Sequence, residues 1–257
     1  MIKAIFFDVD GTLISHTISD IPPSALAALR VLREKGILLF LSTGRHKREL
    51  DLLPLHGFPF DGYVTLTGHL CYDRDWNLIS ASPLPKADTA VLARAFPDRE
   101  LPLMLIHADT YYLNYADDRV RRLLAGASTA VPPLLPYNGE PLYTAVAFTP
   151  RAHAEALAAR LPGCRLSSWS SEGFDIIAKE QSKVRGIQEM LRLFSLEKEE
   201  IAAFGDADND ADMLSFAGVG VAMGNGTEKA KQSAAFVTAS VDADGVALAL
   251  RKMGLLP

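Results

Sequence analysis

Residues 2–12 read IKAIFFDVDGT, a nearly continuous apolar run over 2–7 that stops on Asp8, Val9, Asp10, Gly11 and Thr12. A short run of this kind is the pattern of a strand buried on both faces, and Asp-Gly-Thr after it is a turn signal. Working outward, residues 22–35 (PPSALAALRVLREK) place Ala25, Leu29 and Leu32 at helical spacing. Ser24 or the prolines would start that helix, and Gly36 would supply its C-cap. Residues 37–41 (ILLFL) then read as a second buried strand, which ends in Ser42, Thr43, Gly44 and Arg45. Strand, helix and strand with short connections predict a parallel βαβ unit and an α/β fold.

The same grammar returns near the C-terminus. Residues 182–194 are amphipathic, 201–204 form a short buried strand, and Gly205-Asp206-Ala207-Asp208-Asn209-Asp210 follows. A helix is expected over 211–217, with strands at 219–223 and 236–238. The stretch between has another texture, holding ten of the fifteen prolines between residues 81 and 179. Strand-like pieces there (103–107, 110–115, 143–148 and 174–177) alternate with helical ones at 86–96, 118–126 and 151–161. The expected organisation is a core split into 1–80 and 180–257, with 81–179 as an inserted α+β domain.

Composition bounds the function. A chain of 257 residues with 49% hydrophobic and 22% charged residues is globular rather than disordered. Lys and Arg number 26 against 31 Asp and Glu, a net charge of −5. That balance favours neither nucleic acid nor an anionic membrane as a partner. No apolar run approaches the roughly 18 residues of a spanning helix, and the run over 2–7 meets Asp8 too soon for a signal-peptide core. Cys71 and Cys164 form no CxxC pair and imply no disulfide framework. A soluble, cytoplasmic protein is expected, its oligomeric state left open.

In an open α/β sheet, ligands gather beyond the carboxyl ends of the strands. Asp8 and Asp10 follow the first strand, Ser42 to Arg45 the second, and Asp206, Asn209 and Asp210 a later one. Four carboxylates at one edge repel one another unless a positive group lies between them. Oxygen-only ligands without a Cys or His cluster point to a hard cation, Mg²⁺ before others. Such a site leaves coordination positions for phosphate oxygens and so suggests a phosphorylated substrate. One of the paired carboxylates could attack phosphorus while its neighbour handles the leaving-group proton. Lys183 follows Ser182, a plausible N-cap, and so lies in the first turn of a helix. A cation there opposes the macrodipole at a cost of roughly 0.3–1 kcal/mol, which a lysine directed at carboxylates and a phosphate would explain.

Other residues read more blandly. His46, His69 and His107 are expected on the surface or in loops. Arg45 is either an exposed helix-start residue or a substrate contact. Tyr111, Tyr112 and Tyr115 read as core and rim of the insert, and 169–172 (WSSE) as a polar loop between two of its strands. Gly224-Asn225-Gly226 reads first as a turn and second as a substrate contact.

Taken in order, Asp8-Val9-Asp10-Gly11-Thr12, Ser42-Thr43-Gly44-Arg45, Lys183 and the segment from Gly205 to Asp210 resemble the haloacid dehalogenase superfamily. The tail Val221-Ala222-Met223-Gly224-Asn225-Gly226, with Val237-Thr238 and Asp244-Gly245-Val246, is similar to its Cof-type phosphatases. The resemblance implies a Rossmann-like parallel-sheet core with an inserted α/β cap of the C2 type, closing over the site to exclude water and select the leaving group. It implies a Mg²⁺-dependent phosphatase of a small phosphorylated metabolite, sugar phosphates favoured. Asp8 would be the nucleophile, forming an aspartyl-phosphate, and Asp10 the general acid and base. Thr43, the backbone N–H groups beside it at Gly44, Lys183 and Asn209 would hold the phosphoryl oxygens. Mg²⁺ would be bound by Asp8, the Asp10 backbone carbonyl and Asp206, with Asp210 steadying the shell. One departure stands out: Thr67-Gly68-His69 replaces the usual Asn-Gly-Ala, so a hydroxyl stands where the family has an amide. The rival readings are a phosphomutase, which passes the same phosphoryl group to a sugar hydroxyl, and a non-catalytic phosphometabolite sensor.

Overall fold

The computed structural model describes residues 1–127 and 129–257, which divide into two compact units. One unit comprises Met1–Ser80 and Ser182–Pro257, and the other is Ala81–Gln181.

The first unit opens with β1 (Ala4–Phe7), α1 (Pro23–Glu34), β2 (Leu38–Ser42) and α2 (Lys47–Leu50). It continues with β3 (Gly62–Thr65) and β4 (Leu70–Asp73), and β5 (Leu78–Ala81) runs to the boundary. Helix α1 starts at Pro23 rather than at Ser24, because a proline at the first helical position lacks only an N–H that would go unpaired there. Gly36 takes the left-handed conformation just past its end (φ 74°). Ala25, Ala28, Leu29 and Leu32 form the helix's buried stripe.

The inserted unit contains α3 (Lys86–Asp98), β6 (Leu103–Ile106), β7 (Tyr111–Leu113), α4 (Asp118–Gly126) and β8 (Thr144–Phe148). It ends with α5 (Arg151–Ala158), β9 (Cys164–Ser168) and β10 (Gly173–Ala178). Its strands form an antiparallel sheet in the order β7-β6-β8-β10-β9. Leu92 and Phe96 of α3 and Leu157 of α5 pack with Leu103, Leu105, Ala145, Ala147 and Ile176 of that sheet. Tyr112 is buried in the same core, while Tyr111 and Tyr115 are half-buried. Residues 169–172 join β9 to β10, and the Trp169 indole N–H donates to Asp175 Oδ1 at 3.1 Å.

The chain returns to the first unit with α6 (Lys183–Phe194), β11 (Ile201–Gly205), α7 (Ala211–Phe216) and β12 (Val219–Ala222). It closes with α8 (Glu228–Ser233), β13 (Phe236–Val237) and α9 (Gly245–Lys252). Among the described residues the sheet order is β13-β12-β11-β1-β2-β3-β4-β5. Strand β1 pairs in parallel with β2 and with β11, so that Phe7 stands opposite Leu41 on one side and Phe204 on the other. Residues just past the ends of these three strands therefore meet at one edge. Strand β4 departs from the parallel pattern and runs antiparallel to β3.

Helix α6 covers the face on which Phe6 and Phe40 stack, their ring centroids 4.6 Å apart, with Ile187 and Met190 packed in the same core. Each such side chain contributes about 1.5–3 kcal/mol by burial. The helix lies close because Gly186 has no Cβ: one built there would stand 2.3 Å from Val64 Cγ1. That approach carries Lys183, at the helix start, down to the strand ends.

Of the surface or loop positions expected for the histidines, His46 and His69 take loop positions that are buried; His46 caps α2, its Nδ1 accepting the Arg48 N–H at 3.2 Å. His107 is half-buried. Ser182 does occupy the N-cap position of α6, but its hydroxyl makes no capping bond.

Candidate active site

Asp8 continues β1 by one residue, its N–H donating to the Phe204 carbonyl at 2.9 Å. Alternation along the strand turns its carboxylate to the same face as Phe6, toward α6. There Lys183 Nζ lies 2.5 Å from Asp8 Oδ1 and 2.6 Å from Asp210 Oδ1. Lys183 is fully buried. Burial works against its charge, but the Asp210 and Asp8 carboxylates outweigh it and hold the ammonium above its ordinary range. A buried ammonium with two carboxylates in contact is a hydrogen-bonded cluster whose members depend on one another.

Asp210 is spent on the frame. Its Oδ1 accepts from Lys183, and its Oδ2 accepts the N–H groups of Asp206 (3.0 Å) and Ala207 (2.9 Å). The loop after β11 is thus folded around one carboxylate, and Gly205 admits it, since a Cβ there would lie 2.5 Å from Asp210 Cβ. Asp206 presses against Gly11 (φ 77°), where a Cβ would stand 2.4 Å from Asp206 Oδ2. The Thr12 hydroxyl donates to Asp206 Oδ1 at 2.9 Å.

Asp8, Asp206 and Asp210 each offer a carboxylate oxygen, and the three lie within 4.8 Å of one another. Burial first, then the Asp210 charge, push the Asp8 carboxyl well above its usual range despite Lys183. Burial and Asp210 likewise push Asp206 up to about 6. One buried cation does not balance this charge, and an all-oxygen donor set fits a hard divalent ion. The residues present fit a metal of that class.

This electrostatic state has a measurable consequence. With Asp8 and Asp206 raised, the folded metal-free chain binds more protons than the unfolded one until the pH rises through those values. Stability from this source is present at low pH and lost as the pH rises through about 6. The metal-free chain is therefore expected to melt higher at about pH 5.5 than at about pH 7.5. A saturating divalent cation reverses the difference, because it binds the deprotonated carboxylates. Circular-dichroism melts with and without chelator check this, and a metal-free Tm unchanged across that window would contradict it.

Asp10 stands outside the three-carboxylate cluster. Arg45 holds it as a bidentate pair, Nε to Oδ2 at 2.7 Å and Nη2 to Oδ1 at 2.8 Å. Arg45 is accordingly neither an exposed helix-start residue nor directed away from the protein; its side chain is 15% exposed. Thr43 is buried, its N–H donating to the Val64 carbonyl (2.8 Å) and its hydroxyl accepting the Arg45 N–H (3.1 Å). Gly44 beside it is half-buried. Asn209 lies exposed on the short turn Asp208–Asp210, without a hydrogen-bond partner among the described residues.

Thr67 occupies an arch of left-handed residues, with Leu66 at φ 48°, Thr67 at 55° and Gly68 at 89°. The arch returns Thr67 N–H to the Thr43 carbonyl (3.0 Å) and Leu66 N–H to the Arg45 carbonyl (3.1 Å), bracing the loop after β2. A β-branched residue there costs roughly 1–2 kcal/mol. Its buried hydroxyl comes within 3.6 Å of the position a Gly44 Cβ would take.

Residue-by-residue reading overlooked three contacts: the Arg45–Asp10 pair, the Thr12 hydroxyl on Asp206, and Asn225, whose Nδ2 donates to the Gly11 carbonyl at 2.8 Å. A threonine directly after Asp-Gly and an asparagine between two glycines were the available signals. Neither carries the identity of a partner far along the chain.

Comparison with known proteins agrees with this geometry. Residues 5–250 match the family described as haloacid dehalogenase-like hydrolase. YkrA of Bacillus subtilis (strain 168), a provisionally named phosphatase, is 30% identical over 261 residues, covering 99% of this chain and 98% of its own. Among solved structures, BT1666 from Bacteroides thetaiotaomicron, described among phosphatases of the HAD superfamily, superposes with a TM-score of 0.89. It is 28% identical and covers 100% of this chain and 96% of its own. The HAD subclass IIB sugar phosphatase BT4131 superposes with a TM-score of 0.85 at 28% identity, covering 99% of this chain and all of its own. Among the described residues no helix is long and apolar enough to cross a membrane.

Proposed function

Since the chain belongs to the haloacid dehalogenase-like hydrolase family and is a phosphatase of that superfamily, we propose that it hydrolyses small phosphorylated metabolites, sugar phosphates foremost, through an aspartyl-phosphate on Asp8. The observation that carries this reading is Lys183, buried and bonded to Asp8 and Asp210 beside a third carboxylate at the carboxyl edge of the parallel strands. A cytoplasmic location belongs to the same proposal and is consistent with two free, buried thiols.

In this reading Asp8, Asp206 and the backbone carbonyl of Asp10 hold Mg²⁺, and Asp210 keeps their loop in place. The ion, when bound, supplies positive charge that screens the carboxylates and the phosphoryl oxygens. Lys183 keeps Asp8 in one orientation and adds its own charge where the phosphoryl group sits. The free Asp8 oxygen attacks phosphorus, the bond to the leaving oxygen breaks, and Asp10 gives that oxygen a proton. Asp10 must part from Arg45 to carry the proton. It then takes a proton from water, whose oxygen attacks phosphorus and breaks the bond to Asp8, releasing inorganic phosphate. Thr43, Gly44 and Asn209 line the phosphate in the same proposal. BT4131, a sugar phosphatase, supports the substrate class.

The test is phosphate release from a panel of sugar phosphates, nucleotides, phosphoglycolate and pyridoxal phosphate, with Mg²⁺ present. The highest kcat/KM is expected among the sugar phosphates. An isomerised sugar phosphate without free phosphate would turn the reading to a phosphomutase. Tight binding without turnover across the panel would turn it to a sensor.

A further inference from the structure

The turn after β12 reaches back to the catalytic edge through a single side chain. Asn225 Nδ2 donates to the Gly11 carbonyl at 2.8 Å and lies 3.5 Å from Asp206 Oδ2, while Oδ1 accepts the Val241 N–H at 2.9 Å. Both amide hydrogens face acceptors, and the amide oxygen faces a donor. The opposite orientation would put Oδ1 against a carbonyl and a carboxylate, so the bonding pattern admits one placement of the amide. Asn225 is an exposed residue, yet its polar atoms are turned inward and engaged.

The backbone around it is built for that approach. A Cβ on Gly224 would lie 2.7 Å from the Ser240 nitrogen, and one on Gly226 would lie 2.8 Å from the Asp206 carbonyl oxygen. Thr227 N–H donates to that same Asp206 carbonyl at 2.7 Å. Asp206 is thereby gripped from two sides. Its main chain is held by the turn, and its carboxylate is held by Thr12 at Oδ1 and faced by Asn225 at Oδ2.

Gly11 is fixed as firmly. Its N–H donates to the Ile14 carbonyl at 2.9 Å and its own carbonyl accepts from Asn225. The Asp10 carbonyl and the Gly11 N–H share one planar peptide, so fixing the N–H direction fixes where the Asp10 carbonyl points. That carbonyl and the Asp206 carboxylate are two of the oxygens assigned above to the cation. Asn225 thus holds the carbonyl side of Gly11, whose N–H side carries the Asp10 carbonyl, and faces the Asp206 carboxylate, although these loops lie almost two hundred residues apart, Thr12 and Asp206 being separated by 194.

We propose that Asn225 is a positioning residue for the divalent cation, setting the Asp10 carbonyl and the Asp206 carboxylate through the Gly11 carbonyl and Asp206 Oδ2 without itself binding the ion. The inference rests on the metal reading above. Outer-shell partners of this kind are worth about 10–100-fold in metal affinity.

The experiment titrates Mg²⁺ alone into metal-free wild-type protein and Asn225→Ala by calorimetry, and follows their thermal melts with and without Mg²⁺. The expected result is a Kd for Mg²⁺ weakened about 10–100-fold, with a smaller Mg²⁺-induced rise in Tm at a fixed concentration. A merely structural role would lower both melts alike and leave that rise intact. Asn225→Leu fills the same space without a donor and makes the same comparison if the cavity left by alanine unfolds the chain. Folded variants that bind Mg²⁺ with the wild-type Kd overturn the inference. Wild-type protein that binds no Mg²⁺ overturns the metal reading instead, so the two failures are distinguishable.

Discussion

Asp8→Asn is expected to fold as the wild type does and to lose at least about 10³-fold in turnover, roughly 4 kcal/mol of barrier. The substitution keeps the shape of the side chain and removes the anionic oxygen that would attack phosphorus. Its effect on stability follows from the cluster. Asp8 is a buried carboxylate pushed toward its neutral form by burial and by Asp210, so an uncharged group is tolerated at that position. Lys183 loses one partner but keeps Asp210 Oδ1 at 2.6 Å. Phosphate release measured on the best substrate of the panel, beside a thermal melt of the same preparation, separates the two effects. A folded Asp8→Asn protein turning over at a rate near wild type would refute the nucleophile assignment.

Removing the divalent cation is expected to have an effect of similar size: chelation with EDTA abolishes phosphate release, and added Mg²⁺ restores it. Without the ion, Asp8, Asp206 and Asp210 crowd within 4.8 Å, with the buried Lys183 ammonium bonded to Asp8 and Asp210. Under those conditions burial and Asp210 hold the Asp8 and Asp206 carboxyls above their ordinary range, and whatever fraction of Asp8 is protonated is a poor nucleophile. The phosphate dianion would also enter a site dominated by negative charge. The first penalty falls on the chemical step and the second on substrate binding, and an ion at such a site supplies several kcal/mol of charge stabilisation. The loss should therefore reach about 10³-fold or more. Undiminished turnover in a verified metal-free preparation would remove the cation from the mechanism.

Much of this architecture is written locally. The run before Asp8, the helix with Ala25, Leu29 and Leu32 on one stripe, and the run before Ser42 each follow from their own period and turn residues, so the βαβ unit is legible. Parallel pairing then brings the residues after each run to one edge, which is why Asp8, Asp206 and Asp210 could be named together. Lys183 was legible for a different reason, as a cation where the helix dipole disfavours one. What stayed hidden depends on partners distant in the chain. Arg45 binds Asp10 across 35 residues, and Asn225 reaches Gly11 across 214. A side chain's own neighbourhood in sequence says nothing of such pairings. The burial of the histidines was hidden for the same reason: His46 and His69 lie in loops, as expected, yet are covered by tertiary packing. Thr67 marks another limit, since its left-handed backbone is imposed by the arch that braces Thr43 and Arg45, against the preference of a β-branched residue.

The central claim, a phosphoryl group carried on Asp8, is open to direct capture. Protein quenched with acid during steady-state turnover, reduced with borohydride and digested, would be sequenced by mass spectrometry. Reduction converts an acyl phosphate to an alcohol and leaves free carboxylates untouched. The account predicts homoserine in place of Asp8 in the peptide that carries residues 2–12, dependent on both substrate and Mg²⁺. Sustained phosphate release with Asp8 unmodified, or the modification found at another residue, would contradict it.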